Sequence, residues 1–139
     1  MILFKKSPLI IGHRGASALA PENTLAAFAR AFEDGADGIE LDVRMARDGV
    51  PVVIHNPSLS HTGGLKARVA RLTSERLGQT DVGTSFNQRH PQLARVQYMK
   101  QTVPALEDVF KLMANSARQN TVCYVEMKTV RDKRSNSSL

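Results

Sequence analysis

Four short apolar runs, each closing on charged or imidazole side chains, limit what this chain can fold into. Leu9 to Gly12 leads into His13-Arg14, and Gly38 to Arg44 carries Glu40 and Asp42. Val50 to Ile54 closes on His55, and Thr121 to Met127 passes through Glu126 to Lys128. Between the first two runs, Leu25, Phe28, Ala29 and Phe32 fall at helical spacing. Asn23 is a suitable N-cap for that helix, and Gly35 a suitable residue to end it. Strands alternating with helices point to an α/β architecture with largely parallel strands.

Within the second run, Ile39, Leu41 and Val43 point one way and Glu40 and Asp42 the other, as strand alternation requires. Asp48-Gly49 is a turn signal, so the third run returns as a strand from Val50 to His55. Residues 56–103 are harder to place. His61 to Gly64 reads as a loop, Thr73 caps a short helix through Leu77, and Asp81 to Lys100 reads as mostly irregular. Pro104 suits the first turn of a helix with Leu106, Val109, Phe110 and Met113 as its apolar stripe. In the last strand Val122, Tyr124, Glu126 and Lys128 share one face. The tail from Thr129 to Leu139 has no apolar periodicity and reads as disordered. Functional residues at the C-terminal ends of several strands are typical of a TIM barrel, and a doubly wound sheet does the same at its switch point. No glycine-rich dinucleotide loop follows the first strand.

A length of 139 residues is that of one domain able to bury its own core. No apolar run approaches the ~20 residues of a membrane-spanning helix, and no secretory signal is evident, so the expected location is the cytoplasm. Cys123 stands alone in an apolar run and reads as a small core residue. The net charge of +6 is concentrated between residues 61 and 100, where Lys66, Arg68, Arg71, Arg76, Arg89, Arg95 and Lys100 face only two acidic residues. Only Phe86 and Tyr98 lie among them, so a solvated surface is the better reading than a nucleic-acid site. No Gly-x-Ser-x-Gly elbow, Cys-x-x-Cys pair or P-loop occurs.

The strand-end residues carry the chemistry. Two carboxylates side by side on a buried strand are unfavourable without a compensating cation. Glu40 and Asp42 therefore suit a hard, oxygen-liganded metal such as magnesium or calcium, and Glu126 offers a third oxygen. Pairing with Arg14 or Lys128 is the alternative. His13 and His55, in matching positions after buried strands, can serve as general acid and base. Arg14 can grip two phosphate oxygens, Gly15 beside it allows close backbone approach, and Lys128 adds a point charge. His61 and His90 lack such a context and read as surface residues.

Taken together these residues resemble the glycerophosphodiester phosphodiesterases. The resemblance rests on Gly12-His13-Arg14-Gly15 with Ala20-Pro21-Glu22-Asn23-Thr24, on Glu40-Leu41-Asp42-Val43, and on Val52-Val53-Ile54-His55. It extends to Val103-Pro104-Ala105-Leu106-Glu107-Asp108-Val109 and Val125-Glu126-Met127-Lys128, and so covers nearly everything up to about residue 128. It implies a TIM-barrel fold and a metal-dependent enzyme that cleaves glycerophosphodiesters, small-molecule substrates, to glycerol 3-phosphate and an alcohol. It implies His13 and His55 as acid/base pair, and Arg14 and Lys128 at the phosphate. Glu40, Asp42 and Glu126 would be ligands of a divalent metal, Mg or Ca. Residues 56–103 would be the small insertion after the third strand that shapes the substrate mouth, and Glu22 and Asn23 would support the site.

Three departures stand out. Asn56 replaces the usual Asp after the second histidine, and Ser60-His61-Thr62-Gly63 replaces the usual Arg-Thr pair before a glycine. The family barrel needs eight strands in ~250 residues, whereas about four strands are legible here. Residues 1–128 are thus expected to form roughly the first half of a barrel that self-associates through its open edges. The competing expectations are a truncated, non-catalytic half-barrel and, more weakly, an anion or nucleic-acid binder.

Overall fold

A computed structural model describes residues 7–116 and 118–129. The tail expected to be disordered, apart from Thr129, lies outside the described residues, as does the N-terminal stretch Met1–Lys6.

The sheet is built on β2 (Gly38–Met45), the longest strand. Its apolar residues Ile39, Leu41 and Val43 are buried on one face. β1 (Ile11–His13) runs parallel to β2 with His13 opposite Glu40. β4 (Val122–Met127) runs parallel along the other edge, with Tyr124 opposite Glu40 and Glu126 opposite Asp42. β3 (Pro51–Val53) is shorter than the Val50–His55 expected and antiparallel, pairing Val53 with Val43 and Pro51 with Met45. The hairpin turns at Asp48-Gly49, with Gly49 at φ 77°. Only a βαβ crossover brings a strand back parallel, so a turn this tight forces β3 to run antiparallel. Three strands, not four, therefore follow the parallel order.

β3 shares an edge of β2 with β1. The Arg14 N–H donates to the Glu40 carbonyl and the Ile54 N–H to the Asp42 carbonyl. Carbonyls two residues apart on a strand point the same way, so both bonds lie on one edge. The Lys128 N–H takes the Val43 carbonyl on the opposite edge.

α1 (Leu25–Glu33) and α4 (Leu106–Ala114) cover the apolar face. Phe28, Ala31 and Val109 pack on Ile39, Leu41, Val43 and Val53 as one core. α1 is capped by Thr24, not Asn23: the Thr24 hydroxyl accepts from the Ala27 N–H at 3.2 Å. Asn23 sits at φ 55°, a left-handed conformation that a cap residue does not adopt. Gly35 follows the end of α1 at φ 94°, as the sequence predicts. Pro104 falls before the N-cap Ala105 of α4, and its carbonyl accepts from the Val53 N–H at 2.8 Å.

Segment 56–103 leaves beside β3 and returns beside it, so its two ends are neighbours. It contains more regular structure than expected: α2 (Ser74–Gly78, capped by Thr73 as predicted), α3 (Thr84–Arg89) and three short 3₁₀ turns. Leu59, Val69, Leu77, Val82 and Val103 give it a core continuous with Val52 and Ile54. Phe86 and Tyr98 dock on Ala20 and Ala27 at α1. Such short helices show little periodicity in sequence; docking, not propensity, holds them. The seven basic residues of this segment are all exposed, as are His61 and His90. Cys123 is half-buried against the main core. Among the described residues no helix is long and apolar enough to cross a membrane.

Candidate active site

The polar face of β2 is where the strand-end residues meet. Glu40, Asp42 and Arg44 alternate with the buried apolar residues, so all three point away from the helices. β4 adds Glu126 directly across from Asp42. Glu40, Asp42 and Glu126 each place one carboxylate oxygen within 4.8 Å of the others. Their surroundings differ: Asp42 is 1% exposed, whereas the Glu126 side chain is 56% exposed.

Asp42 is the centre of the network. Its Oδ2 accepts from Asn23 Nδ2 at 2.9 Å and stands 3.1 Å from Arg14 Nε. Lys128 Nζ approaches Oδ1 at 3.2 Å and Glu126 Oε1 at 2.5 Å. Burial on its own would raise the Asp42 pKa. The Asn23 and Lys128 hydrogen bonds, then the charges of Arg14 and His55, outweigh it and hold the carboxyl below its usual range. Lys128 is shifted the opposite way, its ammonium kept charged above all by its bond to Glu126. Pairing with both Arg14 and Lys128, the alternative left open by the sequence, is thus present.

That pairing is incomplete. Among the described residues, Asp42 Oδ1 and Arg14 Nε are buried without a well-aligned hydrogen-bond partner, despite the short distances to their neighbours. A buried carboxylate oxygen without an aligned donor, facing two further carboxylates, suits a hard divalent cation, which takes oxygen ligands. The residues present therefore fit such an ion.

The histidines flank this cluster along the shared edge of β2. His13 Nε2 lies 3.7 Å from Glu40 Oε2, with its side chain 68% exposed. His55 follows β3, with Nδ1 2.9 Å from Asn56 Oδ1. An amide oxygen only accepts, so in this arrangement His55 Nδ1 is the donor to Asn56. The His55 carbonyl accepts from Arg44 Nε at 2.8 Å. The structure thus brings all seven predicted residues, His13, Arg14, Glu40, Asp42, His55, Glu126 and Lys128, to one end of the sheet.

Two expectations change in detail. Arg14 does not stand open for an anion: its NH1 is 3.2 Å from Glu22 Oε2, and Nε faces Asp42. Gly15, at φ 78°, lies against α1, where a Cβ would sit 2.6 Å from the Ala27 carbonyl carbon. Its missing side chain serves helix packing. Asn23, read as a helix cap and, through the resemblance, as a support of the site, orients Asp42. Sequence reading missed one residue, Arg44. It could have been found, because period-two alternation puts it on the face of Glu40 and Asp42.

Residues 13–137 match the glycerophosphoryl diester phosphodiesterase family. The chain belongs to that family. It is 40% identical over 107 residues to a glycerophosphodiester phosphodiesterase of Caldanaerobacter subterraneus, covering 77% of this chain and 41% of that protein. A Bacillus subtilis glycerophosphodiester phosphodiesterase is 35% identical, with 87% and 40% covered. Among solved structures, the fold is similar to a glycerophosphodiester phosphodiesterase from Agrobacterium tumefaciens, with TM-score 0.75 and 35% identity over 88% of this chain and 48% of that one. It is also similar to an Oleispira antarctica phosphodiesterase in complex with the product sn-glycerol-3-phosphate, with TM-score 0.74 and 31% identity over 87% and 44%. The chain thus spans less than half the length of these family members. Its fold is that of the TIM-barrel family, with the described strands forming an open part of the barrel.

Proposed function

We propose that this chain carries the metal and acid/base residues of a phosphodiesterase. It would cleave glycerophosphodiesters to glycerol 3-phosphate and an alcohol. The observation that carries the reading is the meeting of three carboxylates from β2 and β4 with two histidines along one strand edge. Glu40, Asp42 and Glu126 would hold Mg or Ca, which when bound would polarise a phosphoryl oxygen and orient the substrate.

The chain's own residues would do the rest. His55 would exchange a proton with a reacting oxygen through Nε2, its Nδ1 being turned to Asn56. His13, exposed beside Glu40, would make the complementary transfer. Arg14 and Lys128 offset the carboxylate charge, so that a phosphodiester anion is not repelled. On substrate binding Arg14 would turn its guanidinium from Glu22 towards phosphate.

The test is release of glycerol 3-phosphate from glycerophosphocholine, measured with Mg or Ca and with a chelator. Metal-dependent turnover that falls ~10²–10⁴-fold in His55→Ala supports the reading. Turnover unaffected by chelation or by that substitution contradicts it.

One observation favours a second reading, a half-barrel that does not turn over without a further cover. Val125 and Met127 on β4 are 40% and 78% exposed, and no described strand pairs the outer edges of β1 and β4. A metal-binding chain without turnover would select this reading.

A further inference from the structure

His55 stands just past the end of a ladder. The β2–β3 pairs are Met45 with Pro51, Arg44 with Val52 and Val43 with Val53. The last backbone bond runs from the Ile54 N–H to the Asp42 carbonyl at 2.9 Å. Among the described residues no backbone–backbone bond joins His55 itself. Its ring bond does not tie it to the sheet either. Nδ1 donates to Asn56, the next residue, which turns with it where segment 56–103 begins. Backbone that has left its ladder is the first to open.

Arg44 supplies the missing tie. It sits inside the ladder on β2, opposite Val52 in the same hairpin. Its Nε donates to the His55 carbonyl at 2.8 Å, within the range of a good N–H···O bond. The residue is half-buried, on the face of β2 that carries Glu40 and Asp42. Burial works against its charge and Asp42 works for it. A guanidinium stays protonated in either case. The bond is therefore charge-assisted and partly shielded from water, and so stronger than a neutral one. It is a bond from β2 to His55 itself, whereas the Ile54 bond stops one residue short.

We propose that Arg44 is a positioning residue. Its guanidinium takes the place of the next ladder bond and holds the His55 backbone against β2, which keeps the imidazole at the carboxylate cluster. The catalytic use of His55 rests on the function proposed above. Its positioning does not, and the test reads no activity, so either can fail without the other.

The test compares Arg44→Met, which keeps a stem of similar length without charge or donor, with Arg44→Lys, which keeps a charge and a donor. Triple-resonance spectra of the full chain report the His55 carbonyl carbon through the Asn56 amide. Long-range proton–nitrogen spectra report the ring nitrogens of both histidines. Arg44→Met is expected to move the His55 carbonyl upfield, as loss of a hydrogen bond does, to shift the His55 ring nitrogens, and to leave those of His13 in place. Arg44→Lys should return the His55 signals most of the way. A folded Arg44→Met with His55 unchanged, or with His13 displaced as far as His55, overturns the proposal. So does an Arg44→Lys as displaced as the Met variant, which would leave packing alone as the role of the side chain. Should Arg44→Met not fold, the parent chain decides: an Arg44 Nε proton that exchanges with water more slowly than a free arginine's supports the tie, and one that exchanges as fast overturns it.

Discussion

Replacing Asn23 tests how the buried carboxylate is held. Its Nδ2 bond to Asp42 at 2.9 Å is charge-assisted, and its Oδ1 lies 3.4 Å from the Asp42 N–H, a weak contact. Losing a bond to a buried charge costs ~1.5–3 kcal/mol. Asn23→Gly keeps the φ of 55° without strain and isolates that loss, about 2 kcal/mol. Asn23→Ala should cost ~1 kcal/mol more, because alanine resists the left-handed region. With a urea slope of ~2 kcal/mol/M, the Gly variant should unfold about 1 M earlier than the parent. The pH dependence separates this from a packing defect. The Asp42 pKa is depressed when folded, so its contribution is present above the unfolded value of ~3.9 and is lost as pH falls through the folded value. The gap between parent and Asn23→Gly should be full at pH 7 and shrink below about pH 4, towards the ~1 kcal/mol of a neutral bond. Urea titrations followed by circular dichroism across that range measure it. A gap that does not change with pH, or no gap at pH 7, would refute the reasoning.

Other perturbations separate packing from ligation. Gly15→Ala puts a methyl 2.6 Å from the Ala27 carbonyl carbon at φ 78°. The combined strain and overpacking should destabilise by ~2–5 kcal/mol, and an unchanged melting temperature would contradict the packing role. Asp42→Asn should lower Mg or Ca affinity by at least ~10-fold in calorimetry with the circular dichroism spectrum retained, since even second-shell changes cost that much. Unchanged affinity would remove Asp42 from the ligand set. If exposed β4 drives association, the paired change Val125→Lys and Met127→Lys should lower the mass seen by light scattering; an equal mass for both chains rules that edge out.

The sequence alone determined the succession of strands and helices along the chain, the two faces of β2 and the identity of the strand-end residues. Period-two alternation and turn chemistry are local, and local physics is written in neighbouring residues. Thr73 and Gly35 capped and ended their helices as read, for the same reason. Tertiary structure decided what depended on distant partners. Asn23 and Thr24 are both good caps in isolation. Asn23 was drawn into the left-handed region to reach Asp42, 19 residues away, and Thr24 took the cap. Arg14, legible as a phosphate ligand, is held between Glu22 and Asp42 because a buried carboxylate recruits the nearest cation. β3 looked like one more barrel strand, yet it turns back beside β1. That brings His13 and His55 to one edge of β2, a convergence that no spacing along the chain encodes, because it is set by which carbonyls of β2 each strand takes.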